Sequence, residues 1–511
     1  MFSSAFPGAL ASGVAGMSDK KTKSLADLGL TAQGGAEACV TGLSVDSREV
    51  QEGHLFAALP GSRVHGAEFI QYALRMGAGA ILTDAEGARI AADVLAGDPA
   101  ALVVVEDPRA ALAYAAALWF GAQPEVMVAV TGTNGKTSVA SFTRQIWQSL
   151  GVPAVNVGTT GVEGDWETPL AHTTPEPITL HRVLAEAVAA GITHAAMEAS
   201  SHGLAQKRLD GVRLTAAGFT NLTQDHLDYH ADFAEYFAAK AGLFSRVLSD
   251  EGVAVIQMDG ASAAEMAGIA EKAGLEVIRV GRGESCHLRI LGLRFDATGQ
   301  DLRFSWNGAV HLARLDLIGG FQSENVMVAA GLAIGSGSDP AEVFRALPQL
   351  AGVRGRMQLA ATRKNGAAVY VDYAHTPDAL STALKALRPH VMGRLVCVFG
   401  AGGDRDTAKR PLMGKAVAEN ADVAFVTDDN PRSEDPAAIR AAVLSGCPDA
   451  TEVGDRAEAI LRGVDALQPG DALLVAGKGH EQGQTVGDTV FPFDDVEQAS
   501  VAVAALDGHL I

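Results

Sequence analysis

The segment VMVAVTGTNGKTSVASFTRQIWQSLG, Val126 to Gly151, constrains the fold of this chain more than any other. Val126 to Val130 read as a buried strand. Val139, Phe142, Ile146, Trp147 and Leu150 then recur at helical spacing, and Gly151 suits a helix end. The turn between them, Gly132, Thr133, Asn134, Gly135, Lys136, Thr137 and Ser138, must carry a strand into a helix, with Lys136 at the helix start. Backbone N–H groups there can cradle phosphates, Lys136 can reach the terminal phosphates, and Thr137 can reach a bound Mg²⁺. The strict phosphate-loop pattern places Gly where Val130 stands, so the strand–turn–helix context carries the expectation of nucleotide binding.

The same alternation recurs along the chain. LFAAL (Leu55 to Leu59), ALVVVED (Ala101 to Asp107), THAAMEA, AAGFTNL, AAVYVDYAH, LVCVFGAGG, VAFVTDDN and ALLVAGKGHE read as strands, and AEFIQYALRMGA as a helix. Strands alternating with helical stretches imply α/β architecture with parallel sheets. At 511 residues the chain is too long for one core. We expect three domains, over residues 1–107, 108–352 and 353–511, with residues 1–16 a disordered extension or a mis-called start.

A net charge of −20 argues against a nucleic-acid binder. The longest apolar run, Ala110 to Ala122, is shorter than the ~20 residues of a membrane helix. The leader lacks the basic start of a signal peptide. The four cysteines, Cys39, Cys286, Cys397 and Cys447, are scattered without a CxxC pair, which fits a reducing compartment.

Further motifs carry chemistry. Glu198 ends the THAAMEA strand and is a hard oxygen ligand suited to Mg²⁺. FTNLTQDHLDYH follows the next strand; His226 within it is open to a metal or a structural hydrogen-bonding role, since His is an atypical Mg²⁺ ligand. HADFAEYFAAKAGLF reads as a helix with Phe233, Phe237, Ala241 and Phe244 on one stripe and Lys240 on or beside it. Lysine is seldom buried without a partner, so Lys240 either snorkels to solvent or is a functional amine.

In the last third, strands end in three loops: GGDRD with Arg405, TDDNPR, and GKGHE with Gly477 and Glu481. A parallel sheet would place all three on one rim. Arg405 and Arg432 offer bidentate carboxylate sites, while Asp429 and Glu481 can pair with an ammonium; Asn430-Pro431 shapes the turn. A ligand with two ammonium–carboxylate ends, meso-diaminopimelate, would use all of these. L-lysine would leave a guanidinium unpaired, at a cost of a few kcal/mol.

The ordered set VDSREV, GTNGKTS, HTTPEP, MEASSHGLAQKR, FTNLTQDHLDYH, YFAAKAGLF, GGFQSEN, GRMQ, VDYAHTPDAL, GGDRDTAKRPLM, DNPR and GKGHE resembles the Mur ligase family, most closely its MurE type, from about Gly42 onward. Those ligases extend UDP-N-acetylmuramoyl-L-alanyl-D-glutamate in peptidoglycan synthesis. The resemblance implies a small N-terminal α/β UDP-binding domain, a central P-loop ATPase-like parallel-sheet domain and a C-terminal Rossmann-like domain. It implies ATP at Gly132 to Ser138 with Asn325, Arg356 and Asp372. The UDP-muramoyl dipeptide is assigned to Val45, Ser47, Ser62, Arg63, Val64, His172, Thr173, Thr174, Ser200, Gln206 and Arg208. It implies two Mg²⁺ ions at Thr137, Glu198, His226 and a Lys240 carbamylated by CO₂, which favours the functional reading of that lysine; Lys136, Glu198, His226 and Lys240 form the expected catalytic set. DNPR resembles the diaminopimelate-specific version, implying amino-acid contacts at Arg405, Asp429, Asn430, Pro431, Arg432, Gly477 and Glu481. A monomer in the bacterial cytoplasm, without membrane insertion, is implied. Arg354, Gln322 and IQMDG (Ile256 to Gly260) depart from the family pattern.

Overall fold

The computed structural model describes residues 21–35, 37–61, 64–223 and 229–508. The chain divides into two compact units, Met1–Phe120 and Gly121–Ile511. Ser62, Arg63, His226 and the leader 1–16 lie outside the described residues.

The first unit is built on four parallel strands in chain order, β1 (Gly42–Ser44), β2 (His54–Ala57), β3 (Ala80–Thr83) and β4 (Ala101–Val104). Helix α1 (Pro108–Phe120) completes it, burying Leu112, Ala113, Ala115, Ala116 and Trp119. The expected boundary at residue 107 therefore falls too early, because the apolar face of α1 packs within the first unit, which runs to Phe120.

The second unit holds two large sheets. The central one has ten strands. Its middle consists of β5 (Val126–Thr131), β6 (Ala154–Gly158), β8 (His194–Glu198), β9 (Ala216–Phe219), β10 (Val253–Gln257) and β11 (Glu276–Gly281), all parallel. Short β7 (Gly161–Gly164) pairs antiparallel with β6 at one edge. At the other, β12 (Leu288–Asp296), β13 (Gly299–Trp306) and β14 (Ala309–Leu315) form a meander. Both faces are covered, so the strands are apolar throughout: Val128 and Val130 enter one core, Met127 and Ala129 the other. Helix α2 (Lys136–Ser149) follows β5 and α4 (Phe321–Gly335) packs beside it. β5 lies between β8 and β9, where the strand order reverses, so three loops meet at the end of β5.

The second large sheet runs β15 (Gln358–Thr362), β16 (Ala368–Asp372), β20 (Ala472–Ala476), β17 (Leu395–Phe399), β18 (Val423–Val426) and β19 (Thr451–Glu452). All but β15 are parallel, so the loops after β16, β20, β17 and β18 share one rim. A separate hairpin, β21 (Gly483–Val486) and β22 (Thr489–Pro492), follows the GKGHE segment. The expected division at residue 352 falls between the two sheets, yet both belong to one compact unit.

Helix α3 (Phe233–Gly242) faces inward differently from the expected stripe. Phe233 is exposed, and Tyr236, Lys240, Ala241 and, beyond the helix, Phe244 are buried. Phe237 packs against the core, so of the expected stripe only Phe233 faces solvent; Tyr236 turns inward and its hydroxyl meets Thr133 Oγ1 at 3.0 Å.

Candidate functional site

The phosphate loop is shaped by two glycines. Gly132 has φ +148° and Gly135 φ +88°; a Cβ at Gly135 would stand 2.4 Å from Asn325 Oδ1, and one at Gly132 would meet Thr220 Oγ1. Only glycine allows both the left-handed turn at 135 and these approaches. The β9 loop braces the turn: the N–H of Thr133 donates to Asn221 O at 2.9 Å and that of Asn134 to Asn221 Oδ1 at 3.0 Å. Lys136 opens α2 and its ammonium donates to the carbonyls of Gly132 (3.0 Å) and Thr133 (2.8 Å).

Glu198 ends β8, buried beside the start of α2. Its carboxylate accepts from Thr137 Oγ1 at 3.0 Å and from the Thr159 N–H at 2.7 Å. A Cβ at Gly158 would collide with it, which explains the glycine there. Thr174 Oγ1 donates to the Glu198 carbonyl and accepts from the Ser200 N–H, while Arg208 donates to the Thr174 carbonyl at 2.6 Å. Gln206 Oε1 accepts from Arg208. Lys240 is buried, with its ammonium donating to the Gly132 carbonyl at 2.7 Å and lying 4.5 Å from the Tyr236 ring centre.

The C-terminal sheet contributes to the same cavity. Arg356 donates to Thr137 Oγ1 at 3.3 Å and stacks on the Tyr373 ring, 4.4 Å from its centre. Asp372 ends β16 and accepts the N–H groups of Met357 (2.7 Å) and Ala374 (2.9 Å). Burial pushes its pKa upward, against the Arg356 charge and these bonds. Gln322 is buried and accepts from the Asn325 amide at 3.1 Å, so this departure from the family pattern holds Asn325 in place. The cavity encloses about 670 Å³, lined among others by Thr133 to Ser138, His172, Thr173, Thr174, Glu198, Ser200, Arg208, Lys240, Asn325, Arg356 and Asp372. Val45, Ser47 and Val64 belong to the first unit; Ser47 opens a short 3₁₀ turn capped by Asp46, and Val45 and Val64 are exposed.

A second cavity of about 910 Å³ is lined by Arg405, Asp429, Asn430, Arg432, Gly477 and Glu481, all from the rim of the C-terminal sheet. His202, Tyr373, His375, Thr376 and Asp378 line both cavities, so the two are adjacent and share a wall. Gly477 has φ +119°, and a Cβ there would stand 2.5 Å from Asp429 Oδ2. Arg432 adopts the left-handed region (φ 51°) and donates through Nη1 to the Gly403 carbonyl at 2.7 Å. Pro431 lies against Gly403, where its carbonyl leaves no room for a side chain.

The turn is held from the β21–β22 hairpin. Gln484 Nε2 donates to the Asp429 carbonyl (2.8 Å), the Thr485 N–H to Asn430 Oδ1 (2.9 Å), the Arg432 N–H to the Thr485 carbonyl (3.1 Å), and the Gly487 N–H to the Arg432 carbonyl (2.7 Å). A buried bidentate pair, Arg456 with Asp495, lies behind it, with Arg456 also donating to the Ala476 carbonyl at 3.0 Å. Glu481 accepts from Asn430 Nδ2 at 2.9 Å.

Three family models match the chain: the Mur ligase family catalytic domain over residues 39–119, the Mur ligase middle domain over 130–333, and the Mur ligase glutamate ligase domain over 355–479. The UDP-N-acetylmuramoyl-L-alanyl-D-glutamate–2,6-diaminopimelate ligase of Bradyrhizobium diazoefficiens is 51% identical over 474 residues, covering 91% of this chain and 95% of that protein. The chain belongs to the Mur ligase family. The ligase of the same name from Caulobacter vibrioides is 49% identical, covering 95% of this chain and all of that protein. A solved structure of a ligase of that name superposes with a TM-score of 0.67 at 34% identity, covering 91% of this chain and 95% of that one.

Several residues of this Mur ligase escape sequence reasoning. Tyr373 and Lys478 occupy motif positions whose roles depend on partners elsewhere in the chain, Arg356 and Asn430. The hairpin Gly483–Pro492 is not among the strands read from the sequence. Thr137 and Glu198 provide hard oxygens 3.0 Å apart, a donor set that suits Mg²⁺. Among the described residues, no three His, Cys, Asp or Glu side chains converge on a metal position.

Proposed function

We propose that this protein is the ATP-dependent ligase that joins meso-diaminopimelate to the D-glutamyl carboxylate of UDP-N-acetylmuramoyl-L-alanyl-D-glutamate in peptidoglycan synthesis. The observation that carries the reading is the shared wall of the two cavities. An acyl group activated beside the phosphate loop and an amine seated on the DNPR rim would meet at His202, Tyr373, His375, Thr376 and Asp378. Membership of the Mur ligase family and the names of relatives at about half identity support the same substrates.

A carboxylate is a poor electrophile, so ATP converts it first to an acyl phosphate, which the unprotonated amine then attacks, displacing phosphate through a tetrahedral intermediate. The chain's part is positioning and charge neutralisation. The loop N–H groups and Lys136 bind the phosphates, Asn325, Arg356 and Asp372 hold the nucleotide, and His172, Thr173, Thr174, Ser200, Gln206 and Arg208 orient the acceptor. The uridine end falls to Val45, Ser47, Ser62, Arg63 and Val64. Mg²⁺ would be held by Thr137, Glu198 and His226, with a carbamylated Lys240 helping to hold a second ion, and would supply neutralisation of phosphate charge. A carbamate nitrogen keeps one N–H, so Lys240 could retain its bond to the Gly132 carbonyl. Arg405 and Arg432 take the carboxylates of the amino acid, and Asp429, Asn430, Gly477 and Glu481 its ammonium. The protein would act as a three-domain monomer in the cytoplasm, with its last domain beginning near residue 352. Among the described residues no helix is long and apolar enough to cross a membrane.

Phosphate release with ATP, Mg²⁺ and UDP-muramoyl dipeptide tests the reading, with diaminopimelate, lysine and ornithine offered separately. Release is expected with diaminopimelate. Equal turnover with lysine overturns the amino-acid assignment, and no release with any amine overturns the ligase.

A further inference from the structure

Lys478, two residues beyond the end of β20, is fully buried. Its ammonium donates to the Gly483 carbonyl at 2.6 Å and to Asn430 Oδ1 at 2.9 Å, and stands 3.5 Å from Glu481 Oε2. Three acceptors thus meet the three N–H donors of a side chain that is rarely buried. The Thr485 N–H donates to the same Asn430 Oδ1 at 2.9 Å. Two donors converging on one atom permit a single orientation of the carboxamide, with Oδ1 inward. Nδ2 is then turned toward Glu481, which accepts from it at 2.9 Å. Asn430 and Glu481 both line the amino-acid cavity.

The charges facing Lys478 are Asp429, Glu481, Asp495 and Arg456. Arg456 and Asp495 neutralise each other through two bonds of 2.8 and 2.7 Å. Lys478 is therefore set against Asp429 and Glu481, two carboxylates that line one cavity. Burial lowers the pKa of Lys478, and the three acids oppose that shift.

We propose that Lys478 is a positioning residue for the ammonium subsite: it locks the Asn430 carboxamide and, through it, aims the Glu481 carboxylate into the cavity. The inference rests on the reading of this protein as an amino-acid ligase. It assigns a role to a residue that need not touch the substrate, and it explains why a lysine is buried between a glycine and a glycine.

Lys478→Met and Lys478→Gln, assayed by phosphate release, test it. Lys478→Met is expected to raise the KM for diaminopimelate roughly 10- to 100-fold, with the KM for ATP and for the UDP-dipeptide within about twofold and kcat within about threefold. Lys478→Gln keeps N–H donors without the charge and is expected to fall between wild type and Lys478→Met. A crystal structure of either variant should show Glu481 released from Asn430. An unchanged KM for diaminopimelate, an equal rise in all three KM values, or an intact Asn430–Glu481 contact in the variants overturns the role. If Lys478→Met does not fold, the Gln variant and its structure decide alone. Wild-type protein that releases no phosphate with diaminopimelate defeats the ligase reading instead, and the variant structures still decide whether Lys478 holds Asn430.

Discussion

The phosphate loop and the DNPR turn are both strand-end loops braced by another loop, yet they differ in where their shape is written. The phosphate loop carries its determinants within itself: two glycines set the backbone, Lys136 opens the helix, and its ammonium bonds carbonyls three and four residues away. The DNPR turn holds a non-glycine residue, Arg432, in left-handed backbone and is kept there by partners 48 to 55 residues downstream. Such strain costs of order 1 kcal/mol and persists only where surrounding contacts over-determine it. A loop whose ligand is a phosphate can rely on backbone N–H groups, which every residue supplies. A loop that discriminates between amino acids needs particular side chains at fixed angles, and those need outside support.

The largest effect should come from the phosphate end. Glu198→Ala removes the buried acceptor of Thr137 and is expected to lower kcat about 10²- to 10³-fold, read by ADP formation. A loss below tenfold would break the assignment of that end to chemistry. Arg432→Ala should raise the KM for diaminopimelate roughly 10- to 100-fold with little change for ATP. A matched rise in both would mean the two ends are not separable. Gln484→Ala, on the hairpin, leaves the Asp429 carbonyl without that donor and should raise the same KM a few-fold, about 1 kcal/mol. The smallest effect concerns pH. Burial, followed by the charges of Arg356 and Arg354, holds the His480 pKa down from 6.5 to about 4. As pH falls through that window the unfolded chain takes up a proton before the folded one does, so stability declines from pH 6.5 toward 4. In His480→Asn, denaturant unfolding across that range should show a shallower decline; an unchanged slope would remove His480 from the acid sensitivity of this rim.

Much of the fold was legible because its parallel strands are buried on both faces and read as apolar runs between glycine-bearing turns. Val126 to Val130, the helix after it and four of the six strands of the C-terminal sheet follow from that pattern. Helix rotation was less legible: Phe233 has the right spacing for the core and is exposed, because the inward face follows a tyrosine hydroxyl that bonds Thr133. The end of the first unit is not legible for a similar reason, since nothing in residues 108–120 states which core their apolar face will join.

By itself the sequence determined the α/β alternation, the nucleotide turn and the residue types available at each strand end. These are local properties: periodicity, glycine conformations and charge at a given position. Only the tertiary structure decided which residues share a cavity, that Lys478 and Thr485 converge on one atom of Asn430, and that a hairpin beyond GKGHE holds the DNPR turn. Those facts depend on strand order and parallel register, which bring distant segments to one rim. The hydrogen bonds made there leave no periodic trace in the chain.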